Sequence, residues 1–171
     1  MDPIVTISKK ESEAFLRKKT AAFDFSKYDK KELLVLVKRM RETMKKANGV
    51  GLSANQVGRD ECFFVAQVPD TQGRQKFYAI FNPVLTKVSS EMITIEEGCL
   101  SVPEVYGPTP RSYRVTLEGF DIHERKIKIK AWGLLARVFQ HETDHLSGKL
   151  FIDKAKTLTK LVPKEKLPPK K

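Results

Sequence analysis

Two histidines four positions apart, the first followed at once by a glutamate, constrain this chain more than any other stretch: His141-Glu142-Thr143-Asp144-His145. Positions i and i+4 lie on one face of an α-helix. If residues 136–146 are helical, both imidazoles project side by side and can grip one divalent metal. Glu142 then stands where it can take a proton from a metal-bound water. The plain alternative is a pair of histidines on a surface helix, or buried and satisfied by backbone carbonyls. The chain has 3 histidines in all, and two of them fall at this spacing around a glutamate. The metal reading is the stronger one.

A catalytic metal commonly takes three protein ligands and keeps one position for water. Endopeptidases with the HExxH pattern draw their third ligand from downstream. One class needs a histidine where this chain has Phe151, and phenylalanine binds no metal. Another uses a later glutamate, for which Glu165 is available. It lies among Pro163, Pro168 and Pro169, which block the helix that would aim it. The third ligand is therefore sought upstream, at Glu97-Gly98-Cys99-Leu100-Ser101. Cys99 there is either a nucleophile needing a histidine base or the third member of a Cys-His-His set. Both uses place it beside His141 and His145. The ligand reading also accounts for the helical spacing and is preferred.

A chain of 171 residues, 40% of them hydrophobic, suits one domain with one core. Residues 1–153 read as that domain and residues 154–171 as a Lys/Pro-rich tail, extended or frayed. No segment reaches the apolar length that crosses a bilayer, so no membrane contact is expected. Met1-Asp2-Pro3-Ile4 lacks the basic start and apolar run of a secretory signal. The expected compartment is the cytoplasm, with Cys62 and Cys99 reduced. A net charge of +11 invites a polyanionic neighbour. Lysine outnumbers arginine, however, and no RNA-binding signature is present, so a solvated basic surface explains much of it.

Along the chain, Ile4–Ile7 reads as a short strand and Glu11–Lys19 as a short helix or irregular arm. Leu33, Leu36, Val37, Met40, Met44 and Ala47 mark the buried face of an amphipathic helix. Asp29 or Ser26 can cap its start and Asn48-Gly49 can end it. Cys62–Val68 is a continuous apolar run with Cys62 as a small core residue. Phe77–Phe81, Val84–Val88 and Met92–Ile95 read as short strands, the first two separated by Asn82-Pro83. Val115–Leu117 and Ile127–Ala131 alternate as half-buried antiparallel strands do, joined across Asp121–Arg125. Gly133 opens the final helix, with Leu134, Leu135 and Val138 expected to face inward.

Three stretches together, GVGLSANQ at 49–56, EGCLS at 97–101 and QHETDHLSG at 140–148, resemble peptide deformylase in order and approximate spacing. The resemblance implies an α+β fold, with antiparallel sheets around a central helix that carries the HExxH metal ligands. It implies removal of formate from formylmethionine at the start of nascent polypeptides. Carried over by position, Cys99, His141 and His145 would bind the metal, with water completing the tetrahedron. Glu142 would act as general base and then acid. The Gln56 side chain and the Leu100 backbone N–H would hold the oxyanion. Val50, Gly51 and Gly98 would pair with the substrate backbone. Glu97 would support the metal site from behind, where Arg111 would pair with Asp144. The implied metal is Fe2+; a Cys-His-His site would also accept Zn2+, Ni2+ or Co2+. Cys99 would be a point of oxidative loss.

Two positions depart from the family pattern. Ser53 stands where the first motif usually has alanine, with its small size kept. Tyr106 stands where many members carry arginine near the substrate entrance. A monomer is expected. Lys164, Lys166, Lys170 and Lys171 suggest salt-dependent contact with the ribosome or rRNA. Two rival readings are a general HExxH endopeptidase using Glu165, and a catalytically dead fold that binds RNA through its basic surface.

Overall fold

A computed structural model describes residues 2–160. Its helices are α1 (Lys10–Leu16), α2 (Lys30–Lys46) and α3 (Gly133–Leu146). Its strands are β1 (Gly51–Ser53), β2 (Phe63–Pro69), β3 (Gln75–Val88), β4 (Met92–Cys99), β5 (Val102–Ser112), β6 (Arg114–Phe120), β7 (Lys126–Trp132) and β8 (Thr159–Lys160). Two antiparallel sheets result, one ordered β1-β2-β3-β6-β7 and the other β4-β5-β8. This is the α+β class implied by the resemblance.

The apolar run read at 62–68 is continuous because β2 is covered on both faces. Phe63 and Val65 join Phe81 and the α2 residues Leu33, Leu36, Val37, Met40 and Met44. Phe64, Ala66 and Val68 point the other way, toward Ala136, Phe139 and Leu146 of α3. The larger sheet thus sits between an outer amphipathic helix and the metal-motif helix. Asp29 starts α2 with a capping box: its carboxylate accepts from Glu32 N–H at 2.8 Å, and its own N–H donates to the Glu32 carboxylate at 2.9 Å. Asn48, at φ 55°, turns the chain out of the helix.

Several expectations change. Phe77–Phe81 and Val84–Val88 form one strand, because Asn82-Pro83 makes a bulge instead of a break. Asn82 tolerates its φ of 48° and exchanges side-chain hydrogen bonds with the Phe23 backbone. Residues 102–112, which carry no periodic signal, form β5 despite Pro103, Pro108 and Pro110. On its outer side β5 pairs with β8 at Val105 and Tyr106, and the Pro108 carbonyl on that same side accepts from Lys156 N–H, a bond that needs no donor from the proline. Ile4–Ile7 is no strand; Val5 N–H and Ile7 N–H instead donate singly to Gln56 O and Ser101 O. Leu134 faces out, being 50% exposed. Beyond Asp153 the chain is extended at Thr159–Lys160 but paired with β5. The tail lysines 164, 166, 170 and 171, and Glu165, lie outside the described residues. No described helix is long and apolar enough to cross a membrane.

Candidate metal centre

α3 begins at Gly133, whose φ of 58° lets the chain turn sharply out of β7. Two turns later its inner face carries His141 and His145. Their Nε2 atoms stand 3.2 Å apart, and Cys99 Sγ, at the end of β4, lies 3.1 Å from His145 Nε2. Candidate ligand atoms of all three residues fall within 4.8 Å of one another. The sequence spans 46 positions between Cys99 and His145; the β4–β5 hairpin brings them together.

Charge at this point is strongly polarised. Burial opposes a charged thiol, yet the adjacent His145 and His141 hold the Cys99 thiol well below its ordinary range. Burial likewise opposes a proton on His141, but contacts with Cys99 and Glu97 raise its pKa to about 10. That pull for a proton shows how strongly the cluster calls for positive charge. A thiolate and two imidazole nitrogens converging on one point fit a divalent metal of borderline softness. His141 Nδ1 faces Glu97 Oε2 at 3.2 Å, which leaves Nε2 free to turn inward. His145 Nδ1 is buried with no partner among the described residues.

Glu97 is the hub behind the ligands. Arg111 reaches it twice, Nε to Oε1 and Nη2 to Oε2, both at 3.0 Å, and Arg137 Nη1 donates to Oε1. With His141 this fills about four acceptor sites on the carboxylate. Burial would raise its pKa, but His141 and Arg111 bring it down to about 2. Arg111 also pairs with Asp144, which Lys154 contacts at 2.6 Å.

Glu142 is 3% exposed. Burial raises its pKa against the opposing pull of His141 and His145, so its carboxylate is poised to accept a proton. Ser53 Oγ donates to Glu142 Oε2 at 2.6 Å. Gln56 is 2% exposed and held at both ends of its amide. Its Oε1 accepts from Ser53 N–H at 2.9 Å, while its Nε2 donates to Ser101 Oγ at 3.1 Å and toward Cys99 Sγ at 3.6 Å.

Gln56, Glu97, Cys99, Arg137, His141 and Glu142 line a cleft of about 620 Å³. Val50, Gly51, Gly98 and Leu100 line it too. Tyr106 lies across from Gly98 in the β4–β5 register and packs against it. Sequence reasoning missed Arg137 and gave Ser53 no contact. Arg137 did carry a signal: a charged residue four positions before His141, on the helix face that otherwise holds the metal motif.

The chain is similar to known proteins in sequence and in fold. The family model described as "Polypeptide deformylase" matches residues 1–161. The peptide deformylase of Halothermothrix orenii is 44% identical over 124 residues, 72% of this chain and 78% of that one. That of Syntrophobacter fumaroxidans is 40% identical over 134 residues, 78% of each chain. The Met-Ala-Ser-bound crystal structure of the class I type b peptide deformylase from Acinetobacter baumannii superposes with a TM-score of 0.81 at 28% identity, covering 90% of this chain and 98% of that one. The chain belongs to the polypeptide deformylase family, metal-dependent hydrolases that remove the formyl group from the N-terminal methionine of nascent polypeptides.

Proposed function

We propose that Cys99, His141 and His145 hold one divalent metal, Fe2+ in the first place, with Zn2+, Ni2+ and Co2+ also suited to the donor set. When bound, the metal supplies an acidified water and a polarised formyl carbonyl. Glu142 takes a proton from the attacking water. As the new carbon–oxygen bond forms, the Gln56 amide and the Leu100 N–H steady the negative oxygen of the former carbonyl. Glu142 then delivers the proton to the α-amine nitrogen as the carbon–nitrogen bond breaks, and formate leaves. Val50, Gly51 and Gly98 hold the peptide as an added strand. Glu97, Arg111 and Asp144 keep His141 aimed at the ligand point.

The observation that carries this reading is the meeting of one cysteine sulfur and two imidazoles beside the buried Glu142, with Cys99, His141 and Glu142 lining the cleft. A relative with a bound Met-Ala-Ser peptide supports a cleft shaped for a chain start. In the same reading, residues 1–153 are the catalytic domain and 154–171 the basic tail. The protein acts as a cytoplasmic monomer and meets the ribosome through that tail.

The test is formate release from a formyl-Met peptide by protein purified anaerobically with Fe2+. Glu142→Gln should lower kcat at least about 100-fold at equal metal content. Cys99→Ser should lose metal. No release by the fully metallated parent would overturn the proposal, and full metal retention by Cys99→Ser would favour the endopeptidase ligand set.

A further inference from the structure

We infer that Ser53 is the positioning residue for Glu142, fixing which carboxylate oxygen faces the substrate. The inference rests on the reading of Glu142 as the proton carrier.

Ser53 ends β1 and is fully buried. Its hydroxyl reaches the Glu142 Oε2 at 2.6 Å and the Glu142 backbone oxygen at 3.1 Å. A hydroxyl has one hydrogen to give, and the shorter, charged contact takes it. Oε2 is thereby committed. Oε1 accepts no hydrogen bond from the described residues and lies beside Gly51, on the same face of β1 as Ser53. A Cβ at Gly51 would overlap Oε1 and stand 2.8 Å from Cδ. β1 therefore treats the two carboxylate oxygens differently: Ser53 ties one, and Gly51 leaves room for the other at the cleft.

The same residue sets the second polar group of the site. Ser53 N–H holds Gln56 Oε1 at 2.9 Å, which turns Gln56 Nε2 toward Cys99 and Ser101. One residue thus orients the proton carrier through its side chain and the oxyanion donor through its backbone. β1 is pinned in turn by its register with β2, where Ser53 faces Phe64 and Gly51 faces Ala66. The Glu142 side chain is set against a sheet edge and does not depend on a loop.

The test is Ser53→Ala, made alone and with Glu142→Gln, on metal-loaded protein with formyl-Met-Ala-Ser. The loss of one such hydrogen bond should lower kcat about fivefold with KM unchanged, and should cost less than about twofold when Glu142 is already glutamine. Crystals of Ser53→Ala should show the Glu142 carboxylate in more than one rotamer. An unchanged kcat, or an equal loss in the Glu142→Gln background, overturns the inference, as does a Glu142 side chain that stays in its parental rotamer. A parent that releases no formate overturns the catalytic reading instead, and the rotamer comparison then still decides whether Ser53 positions Glu142.

Discussion

Gly51 and Glu142 meet across the gap between β1 and α3, with no space for a methyl group between them. Gly51→Ala must displace the Glu142 carboxylate from its place in the cleft wall. Misplacing a reacting group by about 1 Å costs about 100-fold in rate, so kcat should fall by roughly that factor. The metal content, measured in parallel, should not change. At this scale the meeting of Cys99, His141 and His145 was legible in part, because helical spacing sets His141 beside His145 and the EGCLS stretch offers a cysteine. The Ser53 contact was not. It joins residues 89 positions apart, and the direction of a serine hydroxyl depends on where a three-residue strand is seated. For Arg137 the spacing from His141 was a signal of position, but its partner was hidden for a related reason: Glu97 answers it from β4, 40 positions away.

The elements that carry the site are locked by the Glu97 cluster, which joins β4, β5 and α3. In the metal-free protein its carboxyl sits at about 2 against an ordinary 4.5, so the fold binds that proton less readily than the unfolded chain does. The resulting stability, about 3 kcal/mol, is complete above pH 4.5 and disappears as pH falls toward 2. Glu97→Gln leaves Arg111 and Arg137 facing a neutral partner. Urea unfolding near neutral pH should show a loss of about 3 kcal/mol and a flatter fall in stability over that acid window. An unchanged acid limb would show that Glu97 is not the titrating group. Element boundaries were legible where periodicity and capping agree, as in α2. They were illegible in β5, whose prolines argue against a strand until the distant Lys156 N–H is known to meet the Pro108 carbonyl. At Asn82-Pro83 the local signal for a turn was real, but β6 pairs on either side of it and converts the turn into a bulge.

As a whole, the molecule places one sheet between two helices and folds a second, smaller sheet over the metal-motif helix. Its net charge is +11, to which tail lysines 164, 166, 170 and 171 contribute. If they meet rRNA, removing residues 161–171 should reduce the steepness of log affinity against log salt by up to about 3, read from ribosome binding at several salt concentrations. Superimposable curves for the full and shortened chains would sink that role. The Glu97 hub also constrains descent. One carboxylate answers two arginines and a histidine drawn from both β5 and α3, so no member can change alone without leaving buried charge behind. Positions 97, 111, 137 and 141 should pass through a lineage as a block, altered together or not at all.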